Sequence, residues 1–274
     1  MVRIDKEKCV GCGACVRDCS NRTIYLDARK RAEVDPNVFC MMCGHCYAIC
    51  PVNAVEMVGM DCSEVQEGGL KETALDPELL LRAIKGRRTI RHFQRRPVER
   101  EKIDRILAAA HYTPTGGNRQ PLSYTVVQET LPELTRTTLE ALKELGEKYL
   151  ADPNPGPVNL RYGQRFGEIH REYFESGGEI DRLFYHAPVV ITICGDGGLD
   201  AGLAASNMEL MAYAQGLGMM YVGFLVRAAA ASGQVSSFLR VPKGSKVSAC
   251  IALGYPDVDY RRSVPRNPLK VHYL

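Results

Sequence analysis

The sequence predicts an α+β protein built from two domains of unequal size. Its 274 residues exceed the length of one typical domain. Most of its cysteines lie within the first 50 residues, in two runs of identical spacing. After residue 76, helical periodicity alternates with short, continuously apolar stretches, a pattern typical of helices that cover a mixed sheet in layers. We therefore expect a small domain at residues 1–60, a linker at residues 61–75 and a larger domain at residues 76–274.

The two cysteine runs predict a pair of iron–sulfur clusters. Each run has the spacing C-x2-C-x2-C-x3-C. The first run contains Cys9, Cys12, Cys15 and Cys19, and the second contains Cys40, Cys43, Cys46 and Cys50. In runs of this spacing three thiolates bind one [4Fe–4S] cluster, and the fourth cysteine ligates the other cluster. We therefore assign one cluster to Cys9, Cys12, Cys15 and Cys50, and the second to Cys40, Cys43, Cys46 and Cys19.

Two other uses of these cysteines fit the sequence less well. A disulfide framework suits short secreted chains, whereas this sequence opens without a recognisable signal peptide. Zinc usually binds two separated C-x2-C pairs, whereas each run here crowds three cysteines into a single short stretch. His45 lies inside the second run, but the thiolates already complete both predicted sites.

An internal repeat accompanies the two runs, because the second begins 31 residues after the first. An apolar stretch follows each run, at residues 23–26 and 54–57, and we expect these two stretches to pair as strands. Residues 1–60 thereby resemble the bacterial two-cluster ferredoxins. One departure is Ser20, which stands where the first run would normally be followed by proline.

The larger domain is expected to begin with two helices. Asp76-Pro77-Glu78 supplies an N-cap, a proline at the first helical position and an acidic first turn, and Gly86 ends this helix. The second helix is predicted at residues 99–111, where apolar residues recur on one face. A polar, glycine-rich turn at residues 112–121 then leads into a strand at residues 123–127.

The remaining elements continue this alternation. Apolar strands are predicted at residues 189–194, 219–226 and 247–253, and helices at residues 199–215 and 228–239. The helix at residues 199–215 is apolar nearly all round, so it must be buried on every side.

Two polar motifs in the larger domain indicate an anion-binding site. Arg87-Arg88-Thr89-Ile90-Arg91 follows the first helix, and guanidinium groups and a hydroxyl match phosphate oxygens. Most arginine runs, however, are solvated surface. The second motif is Pro114-Thr115-Gly116-Gly117-Asn118-Arg119-Gln120-Pro121. The chain thus contains, in this order, R-x-(S/T)-x-R, an amphipathic helix, P-(S/T)-x-x-N-x-Q-P and a strand. This order resembles that of the FMN-dependent nitroreductase family.

This resemblance implies a nitroreductase fold, an intertwined homodimer and bound FMN. From one subunit the residues that would hold the FMN phosphate, ribityl chain and pyrimidine edge are Arg87, Arg88, Thr89 and Arg91. From the other subunit the residues that would reach the same flavin are Pro114, Thr115 and Asn118. Gly223 would let the backbone approach the flavin near N5, and Arg266 would add a charge near the phosphate. No catalytic side chain is predicted, because FMN carries the chemistry.

The sequence departs from the family pattern in three places. Leu122 stands where the family often has tryptophan, and no polar ring contact is evident near Ile180. The basic residue expected just before Arg266 is absent, so Arg261 or Arg262 is its substitute. The segment at residues 152–180 is an insertion that could cover the flavin and influence substrate choice.

Composition argues against two classes of partner. The formal net charge of +3 counts cysteines as neutral, and each cluster with its thiolates would add about −2, so nucleic-acid binding is not favoured. No run of about 18 apolar residues is present, so no membrane span is predicted. Free thiols and oxygen-sensitive clusters favour the cytoplasm of an anaerobic or microaerobic prokaryote.

These features predict an oxidoreductase that passes electrons from an external low-potential donor, such as ferredoxin, through two clusters to FMN. The acceptor would be a small electron-poor molecule such as a nitroaromatic or a quinone. One alternative is an NAD(P)H-dependent nitro or flavin reductase whose clusters store or export electrons. Another is an electron-transfer or redox-sensing flavoprotein without a dedicated small substrate. Saturable reduction of an acceptor would distinguish the two enzyme hypotheses from the electron-transfer or redox-sensing protein.

Overall fold

The computed structural model describes residues 1–69 and 72–274, and the chain divides into two compact units. The first unit contains Met1–Ala74 and the separate segment Thr115–Gln120. The second contains Leu75–Pro114 and Pro121–Leu274. Residues 70 and 71 of the predicted linker lie outside the described residues, and the domain boundaries stay a prediction. The grouping of Thr115–Gln120 with the first unit was not anticipated from the sequence.

The first unit contains two antiparallel strand pairs, two short α-helices and, in its later segment, the 3-10 helix Gly116–Asn118. Strands β1 (Val2–Ile4) and β4 (Val55–Met57) form one pair, and β2 (Ile24–Leu26) and β3 (Ala32–Val34) form the other. The α-helices are α1 (Ala14–Asp18) and α2 (His45–Ala48), each within a cysteine run. Gly13 (φ 71°) and Gly44 (φ 78°) precede these helices in the left-handed region, which glycine adopts without Cβ strain.

The predicted pairing of residues 23–26 with residues 54–57 is wrong. Both stretches contain a strand, but β2 pairs with β3 and β4 pairs with β1. A tight turn joins β2 to β3, in which the Lys30 amide donates to the Asp27 carbonyl at 2.9 Å. Closing this short turn costs less chain entropy than closing the long loop between the two repeats.

The second unit is a four-stranded sheet between two layers of helices. In chain order its elements are α3 (Pro77–Gly86), α4 (Arg100–His111), β5 (Ser123–Val127), α5 (Leu131–Ala151), α6 (Gly156–Glu175), β6 (Val189–Gly195), α7 (Gly198–Ala214), β7 (Gly218–Tyr221), α8 (Gly223–Ala231), α9 (Gly233–Phe238) and β8 (Lys246–Gly254). The strand order is β5-β6-β8-β7, and these pairings are antiparallel. An isolated parallel bridge also joins Thr89 to Met219 of β7.

Both faces of the sheet are buried, which explains why its strands are continuously apolar. Val189, Ile191 and Ile193 of β6 pack with α4 and α7, whereas Val190 packs with the layer of α5, α6, α8 and α9. Successive residues of a strand point to opposite faces, so one strand serves both cores. Within residues 1–69 and 72–274, no helix combines the length and hydropathy that a membrane span needs.

The strand predicted at residues 219–226 is wrong beyond Tyr221. β7 ends there and α8 begins at Gly223, while Ser232 divides the helix predicted at residues 228–239 into α8 and α9. Four consecutive alanines, Ala228–Ala231, favour helix and support its extension back to Gly223. Periodicity alone does not separate a short buried strand from a buried helix.

Helix α7 is buried on only one side in the single chain, so the expectation of burial on every side holds in part. The exposed apolar residues that it shares with neighbouring α3 form a surface, which we call the α3–α7 surface. Its members are Leu79, Leu80, Leu81, Ile84, Leu199, Leu203 and Tyr213.

Helix α3 begins with the predicted N-cap, because Asp76 Oδ1 accepts a hydrogen bond from the Leu79 amide at 2.7 Å.

Gly254 in β8 marks a close approach between segments. A Cβ at this position would lie 2.5 Å from Cδ of Pro188 and 3.1 Å from Cδ1 of Phe93. We expect Gly254→Ala to lower the free energy of unfolding by about 1–3 kcal/mol in urea denaturation, because the added methyl overpacks the core. Gly233→Ala is the control, since its Cβ would meet no atom within 4 Å. Equal losses in both variants would contradict overpacking as the cause.

Candidate functional site

The first unit gathers the cysteines of the two runs into two sets, each around a small cavity. Cys9, Cys12, Cys15 and Cys50 line a cavity of about 20 Å³, which we call the first set. Cys19, Cys40, Cys43 and Cys46 line a cavity of about 30 Å³, which we call the second set. Each set thus combines three cysteines of one run with the fourth cysteine of the other. This crossed grouping matches the predicted one, and the role of these cysteines as cluster ligands stays a prediction.

Backbone amides donate to the sulfur atoms of three of these cysteines. The pairs are Thr23 with Cys19 (3.3 Å), Ala32 with Cys9 (3.4 Å) and Ala54 with Cys50 (3.2 Å). N–H···S bonds of this kind stabilise the negative charge of cluster sulfurs and influence cluster potential. All eleven cysteines are free thiols. The residues present therefore fit an iron–sulfur cluster in each cavity.

A grouping of ligands around one metal ion is not found in the described part of the chain. There, no group of three or more His, Cys, Asp or Glu side chains is arranged to hold a single ion. The cysteines of each set instead surround a cavity.

The second unit contains a cavity of about 490 Å³ beside the arginine motif. Arg87 and Arg88 line one side, and Glu209 and Tyr213 of α7 line another. Gly218 at the start of β7 contributes to the wall, as do residues 256 and 258–260 after β8. The cavity therefore brings together residues from three distant parts of the sequence.

A partly buried ion pair lies in the wall of this cavity. Arg87 Nη1 is 3.0 Å from Glu209 Oε1, and Glu209 is only 8% exposed. Burial raises the pKa of the Glu209 carboxyl, although the charge of Arg87 and its hydrogen bond act in the opposite direction. The guanidinium of Arg88 lies 4.8 Å from the centre of the Tyr260 ring, a cation–π contact.

The structure places only part of the predicted flavin residues at this cavity. Thr89 forms its backbone bridge to Met219, next to the cavity wall, and Arg91 is exposed. Gly223 is the exposed first residue of α8, where a Cβ would meet no atom within 4 Å. Pro114 is exposed and ends a segment of the second unit, and Arg266 is exposed beyond β8 in a stretch without helix or strand.

The other two predicted flavin residues, Thr115 and Asn118, lie in the first unit. Thr115 Oγ1 accepts a hydrogen bond from the Gln120 amide at 3.0 Å. Asn118 Nδ2 donates to the carbonyl oxygen of Met42 at 2.7 Å. Met42 lies between Cys40 and Cys43 in the sequence. A residue of the predicted flavin motif is therefore bonded to the loop that carries the second set.

Sequence reasoning missed every polar side chain of the arginine-lined cavity other than the arginines: Glu209, Tyr213, Asp259 and Tyr260. A signal for Glu209 was present, because a carboxylate within a nearly apolar helix must find a buried cation or stay protonated. The two tyrosines carry no comparable signal in the sequence.

Comparison with known proteins identifies both parts of the chain. Residues 84–255 match the model of the nitroreductase family, and residues 1–51 match that of the 4Fe–4S dicluster domain. A protein of Archaeoglobus fulgidus, provisionally named NADH dehydrogenase/NAD(P)H nitroreductase, is 26% identical over 208 residues, which cover 71% of this chain and 97% of that protein.

Two solved structures share the fold. A nitroreductase with bound FMN from Desulfitobacterium hafniense is 25% identical with a TM-score of 0.51, covering 70% of this chain and 97% of its own. A nitroreductase with bound FMN from Bacteroides fragilis is 21% identical with a TM-score of 0.54, covering 71% and 98%. The chain thus belongs to the nitroreductase family, with a 4Fe–4S dicluster domain in its first 51 residues.

Proposed function

We propose that this protein is an FMN-dependent oxidoreductase that receives electrons through two [4Fe–4S] clusters and reduces a small electron-poor acceptor. The observation that carries this proposal is the presence, in one chain of the nitroreductase family, of two cysteine sets around separate cavities. Clusters exchange single electrons and FMN exchanges one or two, so successive single transfers can add up to a two-electron reduction. Nitroaromatics and quinones are acceptors of this class.

The residues around the arginine-lined cavity have binding roles in this proposal. Arg88, held against the Tyr260 ring, would pair with the phosphate of FMN. Arg87 would be oriented toward the same anion by Glu209, at 3.0 Å. The fit of FMN to these residues is also supported by the bound FMN of the Desulfitobacterium hafniense structure, which shares 25% of its sequence with this chain.

The proposal includes a homodimer. The α3–α7 surface exposes apolar side chains on two adjacent helices, and a second copy would remove them from water. The stretch after β8 also exposes Leu269, Val271 and Tyr273. Arg266 lies in that stretch, and the family resemblance implies that it adds a charge near the FMN phosphate.

Reduction of the flavin by a low-potential carrier is the expected result in an anaerobic mixing experiment. Protein loaded with clusters and FMN is mixed in turn with reduced ferredoxin, NADH and NADPH, and bleaching of the flavin absorption is followed. We expect bleaching by ferredoxin to be at least about tenfold faster than by either nicotinamide, because the clusters accept single electrons. Absence of flavin reduction by ferredoxin would contradict the proposed electron source.

A nicotinamide-driven reductase is the second candidate function. It is favoured by the provisional name of the Archaeoglobus fulgidus relative, an NADH dehydrogenase/NAD(P)H nitroreductase. Fast bleaching by NADH or NADPH in the same experiment would support it and leave the clusters as a store or outlet for electrons. A relay or redox sensor would instead reduce many acceptors slowly, without saturation.

A further inference from the structure

The two cysteine sets have different electrostatic surroundings. Residues 36–55, which contain the whole second run, include no Asp, Glu, Lys or Arg. The first run, in contrast, is followed by the turn between β2 and β3, which contains three consecutive cations. We call these residues, Arg29, Lys30 and Arg31, the basic turn.

The basic turn packs directly on the loop of the first set. Gly11 has φ 70°, and a Cβ there would collide with the Lys30 carbonyl oxygen, so glycine permits this approach. The Ala32 amide, next to the turn, donates to Cys9 Sγ at 3.4 Å. Cys12 of the same loop is exposed, and Arg17 Nη1 donates to its carbonyl oxygen at 3.1 Å. The loop that carries exposed Cys12 therefore contacts both the basic turn and Arg17.

The hairpin and Lys6 together carry more positive than negative charge, four cations against two carboxylates. The acidic residues of the hairpin, Asp27 and Glu33, both pair with Lys6, at 3.0 Å each. Across the described residues, no carboxylate forms an ion pair with the cations of the basic turn. Arg29 and Lys30 are exposed. The basic turn therefore presents a free positive surface beside the first set.

The loop of the second set is engaged by the chain itself. The Met42 carbonyl accepts the hydrogen bond from Asn118 within the first unit, at 2.7 Å. The loop itself, residues 36–55, contains no Asp, Glu, Lys or Arg, and so has no cluster of cations like the basic turn. Of the two sets, the first is the one whose surface suits an external partner.

We propose that the basic turn is the docking surface for an acidic, low-potential electron-carrier protein of the ferredoxin or flavodoxin type. The cluster of the first set accepts one electron from the reduced carrier, which is oxidised by one electron and leaves, and a second carrier repeats the step. Complementary charge steers such encounters and raises their rate. This inference rests on the proposed function, for which it names the partner and the entry point.

The competing explanation is that the basic turn only offsets the negative charge of the nearby cluster. In that case charge reversal would change the cluster's potential, and hence its reduction by every reductant. A docking surface instead affects reduction by an acidic protein and spares reduction by a small molecule. Two reductants therefore distinguish the explanations.

The test measures cluster bleaching by anaerobic stopped flow in the full chain loaded with clusters and FMN. The probes are reduced flavodoxin, an acidic protein whose absorption differs from that of the clusters, and reduced methyl viologen. The variant is Arg29→Glu/Lys30→Glu/Arg31→Glu. The control, Arg105→Glu/Lys148→Glu/Lys243→Glu, changes the net charge equally at exposed residues of the second unit. The iron content of each protein is measured to check that its clusters are intact. If the triple variant loses iron, the single variant Lys30→Glu replaces it in the comparison.

We expect the second-order rate constant for flavodoxin to fall about 10–100-fold in the basic-turn variant at low ionic strength, and to change little in the control. The wild-type rate should decrease with salt, whereas the rate with methyl viologen should not fall in any variant. Equal falls in both variants, no fall, or a parallel fall with methyl viologen would each overturn the docking surface. With methyl viologen, which contains no flavin, clusters that bleach normally while the bound FMN stays oxidised would overturn the proposed function and leave the docking surface standing.

Discussion

Replacing Cys12 and Cys50 together by serine is expected to remove one cluster and to leave the other intact, although the two residues belong to different runs. Both line the cavity of the first set. Iron per chain should therefore fall by about half, because the second set keeps all its thiolates. The electron paramagnetic resonance signal of the remaining reduced cluster should match one wild-type component.

The matched variant is Cys12→Ser/Cys19→Ser, which removes two cysteines of the same run. It takes one thiolate from each set, so we expect both clusters to be altered and no wild-type signal to survive. Cys62→Ser is the control, because Cys62 is exposed and belongs to neither set. The opposite pattern between the two double variants would show that each run binds its own cluster.

Arg87→Leu is expected to lower the free energy of unfolding by about 2–4 kcal/mol at pH 7, because it leaves Glu209 buried without its cation. The two side chains are 3.0 Å apart, and the Glu209 side chain is 10% exposed against 30% for Arg87. The loss should shrink as the pH is lowered, since protonated Glu209 needs no counter-charge. Urea denaturation at equal protein concentrations across a pH series measures both effects.

The double variant Arg87→Leu/Glu209→Leu separates stability from binding. Replacement of a buried ion pair by apolar residues is often close to neutral, so we expect most of the lost stability to return. FMN affinity, measured by fluorescence titration, should stay at least about tenfold below wild type, because one of the two arginines proposed to bind the phosphate is still absent. Recovery of FMN affinity together with stability would contradict the proposed role of Arg87.

The pH dependence of Glu209 itself has a defined sign. Burial raises its pKa in the folded state above the ordinary 4.5, against the opposing effect of Arg87. Its contribution to stability is therefore complete below pH 4.5 and is lost as the pH rises through the folded pKa. Glu209→Gln should accordingly gain stability relative to wild type as the pH rises through this range, in the same urea experiment.

Features set by local chemistry could be predicted from the sequence. The crossed grouping of the cysteines follows from spacing, and the start of α3 follows from the capping chemistry of Asp76. The helix–sheet layering of the second unit follows from periodicity, since strands buried on both faces are continuously apolar.

Features set by distant contacts could not be predicted. The partner of Arg87 lies 122 residues away, and only the folded chain brings Glu209 to it. The positions of strands β2 and β4 were predicted, but their partners were not. The partners, β3 and β1, are too short to show a periodic pattern in the sequence. The start of α8 at Gly223 could not be predicted, because the apolar residues that follow Gly223 suit either a strand or a helix.

The grouping of Thr115–Gln120 with Met1–Ala74 has a consequence for synthesis on the ribosome. The N-terminal unit is not complete when its first 74 residues emerge, because the Asn118 amide that bonds to Met42 has not yet been made. At a translation rate of about 5–20 residues per second, this delay lasts a few seconds. A gene fragment that encodes only the N-terminal stretch would therefore lack this hydrogen bond to the loop of the second set. A transplant of the N-terminal unit into another enzyme keeps the bond only if it carries the later segment as well.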